Sequence, residues 1–310
     1  MPAVVAIAGG SGGLGRALLD ALEKDDRYEP IILARTVNTE QKHATGVRYV
    51  AADYADVNSL VTLLEENNVW AVLSVMHTQD GTPETNLIQA ADKSKVTKRF
   101  IPNIWSAIEF KSEHRAVFPY AGLRLAAQDA LKQTSLEWTA VYTGLFLDYY
   151  ILNHPTHLNI VSIPVDVRND IAGIPGSGDD PVHFTYSFDV GTYTAALLGL
   201  EKWDQNYYVA GDQKTWNEVI EIVEKAKGVK FEVQYDSLEK LESGQITELP
   251  AHHQLAEALG GEAARPMIRG MWSTFGLWFT QGLGAKRDGV FLAEKFPEIQ
   301  PLTLEHAWTK

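Results

Sequence analysis

The stretch Ala-Val-Val-Ala-Ile-Ala-Gly-Gly-Ser-Gly-Gly-Leu-Gly, Ala3 to Gly15, decides the fold. Ala3 to Ala8 is an apolar run of strand length, and Leu14, Leu18 and Leu22 recur at helical spacing, so the glycines form a turn between strand and helix. The first free N–H groups of a helix, with its dipole, make an anion site, and missing Cβ atoms let a diphosphate reach the backbone. Two glycine patterns overlap. Gly10, Gly12 and Gly15 give G-x-G-x-x-G, while Gly9, Gly12 and Gly15 give G-x-x-G-x-x-G. Strand before and helix after favour dinucleotide binding over a bland tight turn, with Gly9, Gly10, Ser11, Gly12, Gly13, Leu14 and Gly15 as the binding residues.

Outward from this turn, apolar β-rich segments recur at Pro30 to Ala34, Arg48 to Ala52, Val69 to Ser74, Thr97 to Ile101 and Glu137 to Tyr142. Helical segments separate them, among them Asp56 to Asn67, with Asp56 placed to cap, and Ala121 to Gln133. This alternation predicts an α/β fold with a doubly wound parallel sheet of Rossmann type. Beyond Asp148 the pattern loosens into turn formers before Phe188 to Leu200 resumes as a helix. We expect residues 1–148 to form the dinucleotide-binding domain and 149–310 mainly a smaller C-terminal α+β substrate lobe. Gln205 to Val209 is expected to return as a last strand of the sheet. Near the C-terminus, Ile268, Met271, Trp272, Phe275, Trp278 and Phe279 fall broadly on one side of a helix, as a core or pocket wall would.

Composition narrows the function classes. The 310 residues, 45% hydrophobic and 22% charged, are those of a soluble globular protein. No apolar run approaches the roughly 20 residues that span a bilayer, and the N-terminus enters a strand without a leader, so a cytoplasmic location with no membrane partner is expected. A net charge of −13 argues against nucleic acid as a ligand. The absence of Cys excludes disulfides and thiolate chemistry. His154 and His157, or His252 and His253, lack a third ligand at coherent spacing, so no metal is expected.

The second strand ends at Arg35, about 20 residues beyond the glycines, where NAD-preferring sites carry an acid for the ribose hydroxyl. A guanidinium there offers fixed donors to a 2′-phosphate, so the expected cofactor is NADP(H). Arg16 and Lys42 add positive charge nearby or are solvated surface residues. Asp53, after the third strand, is placed to accept from the adenine amino group or to cap the next turn.

The chain resembles the atypical short-chain reductases that include isoflavone reductase, phenylcoumaran benzylic ether reductase and the NmrA-like regulators, and is most similar to fungal members. The resemblance spans nearly the whole length. It rests on Gly9 to Gly15, Arg35, Lys98 to Pro102, Leu136 to Thr139, Gly144 to Tyr149, Ile174 to Thr185, Asp189 to Gly191, Thr215 to Glu218 and Pro301 to Glu305. It implies an extended Rossmann fold, NADPH as cofactor, Asn103 among the cofactor-binding residues, and aromatic or secondary-metabolite substrates. Where family reductases carry a lysine in the helix before Leu136 to Thr139, this sequence places Arg124, which cannot donate a proton at working pH. The family segment Ser-Glu-Phe-Gly reads Asn103-Ile104-Trp105-Ser106 here, which predicts a reshaped pocket floor including Trp105.

Reducing a carbonyl or activated ring needs a hydride and a group that supplies a proton or holds developing negative charge. Tyr120 and Arg124 lie four apart on one helix face and are the candidates, with the guanidinium making the phenol a better acid or itself holding an oxyanion or a cofactor phosphate. The alternative is that Tyr120 packs and Arg124 pairs with a surface acid. His77 follows the fourth strand at the carboxyl edge of the sheet, as a proton-transfer group or a polar loop residue. Tyr142 and Phe146, after the sixth strand, are expected to line the substrate pocket. The leading expectation is an NADP(H)-dependent oxidoreductase acting on a small aromatic or apolar substrate. Loss of the lysine keeps open a dinucleotide-sensing regulator with a protein partner, or a redox-neutral enzyme of secondary metabolism.

Overall fold

The computed structural model describes residues 1–37, 46–78, 80–285 and 289–309. Six parallel strands form the central sheet: β1 (Ala3–Ala8), β2 (Tyr28–Ala34), β3 (Arg48–Ala51), β4 (Val69–Ser74), β5 (Arg99–Ile101) and β6 (Glu137–Trp138), in the spatial order 3-2-1-4-5-6. A third-strand crossover back past β1 places the switch point between β1 and β4, where open α/β sheets bind ligands.

The continuous apolar run of β1 follows from burial on both faces. Val5 and Ile7 point into one helical layer, made by α1 (Gly13–Leu22) and the later helix Ser187–Leu198. Val4, Ala6 and Ala8 point into the other, made by α2 (Val57–Glu66), α3 (Thr82–Lys93) and α4 (Pro119–Leu131). Asp56 caps α2, accepting from the Asn58 and Ser59 amides at 2.8 and 3.2 Å.

The segment Glu137 to Tyr142 is broken at Thr139 into β6 and β7 (Ala140–Tyr142). The chain then turns into β8 (Leu145–Phe146) and enters a second, α+β lobe. This contains β9 (Val165–Asp166), β10 (Ile171–Pro175) and β11 (Val182–Thr185), and α5 (Ser187–Leu198) leads back to the first lobe. There β12 (Asn206–Tyr208) pairs in parallel with β7. The second lobe resumes with β13 (Asp212–Lys214), α6 (Trp216–Lys227), β14 (Glu232–Asp236), α7 (Leu238–Glu242), α8 (Pro250–Leu259) and α9 (Arg265–Thr280). Its core holds Tyr150, Phe184, Trp216 and Phe279. Finally β15 (Val290–Phe291) adds to β12, and two short helices, α10 (Leu292–Lys295) and α11 (Leu304–Trp308), end the chain.

Two features join the lobes across the sheet. Arg99 on β5 bonds Glu137 at 2.7 Å and the carbonyls of Leu198 and Glu201 at 2.9 and 2.8 Å, lying between the Trp70 and Trp203 rings. A strap over residues 151–163 crosses the start of α1. His157 Nε2 lies 2.8 Å from Asp20 of α1, and Leu158 packs so closely that a Cβ on Gly13 would come within 2.8 Å of it.

Candidate functional site

The glycine turn is a backbone device. Gly9 has φ +89°, and a Cβ there would strike the Val75 carbonyl at 2.7 Å, so only glycine lets β1 and β4 close at this edge. A Cβ on Gly15 would lie 2.5 Å from the Gly9 carbonyl, which forces the start of α1 against the turn. At Gly12 a Cβ would meet only the Gly9 carbonyl at 3.8 Å, leaving the N-cap open. Gly12 provides no side-chain cap, and no acid stands in the first turn of α1. The helix therefore presents uncompensated donors and an uncompensated positive dipole end, as an anion requires.

Beyond the turn, Arg35, Asp53, Tyr54 and Ser59 line a hollow, with Asp80 and Thr82 across it. Arg35 is exposed at the end of β2. Tyr54 forms the buried floor, donating to the Leu33 carbonyl at 3.1 Å. The Asp53 carboxylate accepts from the Ala55 amide at 2.9 Å and so closes the turn after β3. Lys42 lies outside the described residues, and Arg16 is exposed on the first turn of α1.

The chemistry-bearing side chains collect on the other side of the switch point. The Pro119-initiated α4 presents Tyr120, Leu123 and Arg124 to the segment joining β4 and α3. The Tyr120 ring is 6.4 Å from that of His77, Leu123 faces Gly81, and Arg124 faces Glu84. Tyr120 is 39% exposed and rests on Phe118, which touches Phe275 and Trp278 of α9 at ring distances of 5.2 and 5.6 Å. One side of α9 thus forms an aromatic wall beside Tyr120.

Glu84 is the residue that sequence reasoning missed. It is 6% exposed, in the first turn of α3, and accepts from the Asn103 amide at 2.7 Å, while Asn103 Nδ2 donates to the Met76 carbonyl at 2.5 Å. Burial pushes the Glu84 carboxyl up, against the pull of the Asn103 amide, Ser74 and Arg124. Burial pushes the Arg124 guanidinium down, opposed by Glu84 and Tyr120. The Ser74 hydroxyl beside them is fully buried without a well-formed hydrogen bond among the described residues. Pro83 and an acid following a Gly-Thr turn signal a helix start in sequence, but not that the acid turns inward.

Three expected pocket residues sit elsewhere or deeper. Trp105 is buried, with its indole N–H donating to the Ser74 carbonyl at 2.8 Å, so it braces the floor of the edge from within the core. Tyr142 is 1% exposed, stacked on Tyr208 at 5.1 Å in a cluster with Ile104 and Ala140, and presents no surface to a ligand. Phe146 is partly buried against the core and the Tyr149 ring. Among the described residues no group of three or more acids and histidines is placed to hold a metal, and no helix is long and apolar enough to cross a membrane.

The model of the NmrA-like family matches residues 1–260. This chain belongs to that family. An NmrA-like relative from Botryotinia fuckeliana, named oxidoreductase BOA1, is 33% identical, the match covering 96% of this chain and 95% of the relative. Oxidoreductase swnN from Metarhizium robertsii is 30% identical over 97% and 95%. Leucoanthocyanidin reductase from Vitis vinifera, solved with NADPH, superposes with a TM-score of 0.75 at 16% identity, covering 98% of both chains. A structure titled AtPrR2 with NADP+ and (+)pinoresinol gives 0.74 at 19% identity, over 99% and 98%. These likenesses establish the reductase-type Rossmann architecture for this NmrA-like chain.

Proposed function

We propose that this NmrA-like protein is a cytosolic NADP(H)-dependent oxidoreductase that reduces a small aromatic or apolar metabolite at the carboxyl edge of its sheet. The observation that carries this reading is the uncapped N-terminus of α1 opening beside the Arg35 hollow: donors for a diphosphate at one end, and a guanidinium for a 2′-phosphate at the other. The residues fit the cofactor. Gly12 leaves the backbone accessible where the diphosphate would lie, and Asn103 at the tip of β5 faces the far end of the same edge. Curated relatives named oxidoreductases, and structural neighbours solved with NADPH or NADP+, support the assignment.

Reduced nicotinamide, when bound, supplies a hydride. Tyr120 gives the proton to the substrate oxygen, and His77 beside it returns the proton from solvent. Phe275, backed by the buried Phe118 and Trp278, offers an apolar surface to the body of the substrate.

The test is to follow loss of reduced-nicotinamide absorbance with aryl ketones, enones and benzylic ethers. Turnover of NADPH with at least one class is expected. The arginine at the family's lysine position favours a second reading, a dinucleotide sensor. Tight NADPH binding with no turnover across the panel would select it.

A further inference from the structure

Arg124 is a half-buried cation beside Glu84 and Tyr120. Among the described residues its guanidinium makes no hydrogen bond and no ion pair, although burial works against its charged form. An arginine does not escape this by losing its proton. Glu84, the carboxyl it faces, is already committed to the Asn103 amide at 2.7 Å. The guanidinium therefore keeps donors that the described residues do not fill, in a chain whose net charge is −13. A half-buried cation with open donors is suited to an anionic ligand group.

The surroundings define what completes it. Tyr120, one turn back on α4, and Val117 are exposed apolar surface at the mouth, continuous with the Phe118, Phe275 and Trp278 wall. The diphosphate cradle lies over β1, whereas Glu84, which Arg124 faces, is held by Asn103 at the end of β5, two strands away, or about 10 Å. A guanidinium is a planar fork that matches a carboxylate with two parallel hydrogen bonds. We propose that Arg124 is the carboxylate-recognition residue of this site, so that the substrate is an acid: an apolar or aromatic body against the α9 wall, with a carboxylate seated on Arg124. This rests on the reductase reading and narrows its substrate class. It also explains an arginine where a proton-donating lysine would otherwise serve, since recognition of a fixed charge needs no titrating group.

The test uses the full chain saturated with NADPH and titrated calorimetrically with trans-cinnamate and with cinnamamide, which share a skeleton and differ in charge. Cinnamate is expected to bind about ten-fold more tightly or better, with affinity falling as salt rises. Arg124→Gln should erase the preference, and Arg124→Lys should keep part of it as a point charge. Equal binding of the two probes, no binding of either, or a preference that survives in Arg124→Gln overturns the proposal. NADPH affinity is read on the same samples. If Arg124→Gln weakens NADPH and leaves the probes unchanged, the guanidinium serves a cofactor phosphate and the proposal fails while the reductase reading stands. A chain that does not bind NADPH at all defeats the reductase reading itself.

Discussion

Arg35 and Tyr120 are single side chains whose proposed roles make separable demands. Arg35 stands exposed in the hollow at the end of β2, so removing it should cost the charge-assisted bonds to a 2′-phosphate and little else. Arg35→Ala is expected to weaken NADPH by about ten- to a hundred-fold and NADH hardly at all. Equal weakening of both, by fluorescence titration, would remove the 2′-phosphate assignment. Tyr120→Phe keeps the ring against Phe118 and deletes only the hydroxyl, so kcat should fall by about 10²-fold or more with NADPH affinity unchanged. An unaltered kcat takes Tyr120 out of the chemistry. Both positions could be singled out in sequence because each follows a local landmark, the end of a strand or a proline-marked helix start. The approach of Glu84 to Arg124 could not be, because inward rotation of an acid on one helix toward a cation on another is a tertiary fact with no periodic trace.

At the scale of elements, the sheet was readable for a physical reason. β1 and β4 are buried on both faces, so their sequences are unbroken apolar runs, and the Asp56 cap marks where α2 begins. The strap over 151–163 was not readable: it is held by His157 on Asp20, Thr156 on Asp148 and the Tyr186 hydroxyl on the Pro155 carbonyl, bonds between distant residues with no regular spacing. Gly191 lies between these cases. It sits inside α5, where glycine lowers helix propensity, and a Cβ there would meet the Ala17 carbonyl of α1 at 2.4 Å. The two helix backbones touch at this crossing, which seats α5 against the helix that follows the glycine turn. Gly191→Ala should therefore destabilise the protein by about 1–3 kcal/mol through overpacking. Gly270→Ala, in α9 with nothing within 4 Å of the added atom, should instead stabilise by about 0.5–1 kcal/mol. Urea denaturation midpoints decide, and the same sign for both substitutions would refute the close-approach account.

Over the whole molecule, the last residues fasten α5 and β13 to the core around Tyr150. The Leu302 amide donates to Asp189 of α5 at 2.7 Å, the Leu304 amide to Asp212 at 2.9 Å, and the Trp308 indole to the Tyr150 carbonyl at 3.1 Å. Because α5 also packs on α1, the tail, the crossing helix and the glycine turn form one mechanical chain. Its weak point is electrostatic. Burial pushes the Asp189 carboxyl up to about 6, against the Leu302 hydrogen bond and with the help of neighbouring Asp148. A carboxyl with a raised pKa binds its proton more tightly in the folded than in the unfolded chain. Its contribution to stability is therefore complete below the unfolded value of 3.8, and is lost as pH rises through about 6. Asp189→Asn keeps an acceptor for the Leu302 amide and removes the buried charge. Relative to the parent, it should gain of order 1–3 kcal/mol near pH 7 and gain nothing near pH 4, with the crossover between those limits. Melting curves for both proteins across that range check this directly. A difference that does not vary with pH would mean that Asp189 stays solvated and ionised, and that the tail is held by its other two bonds alone.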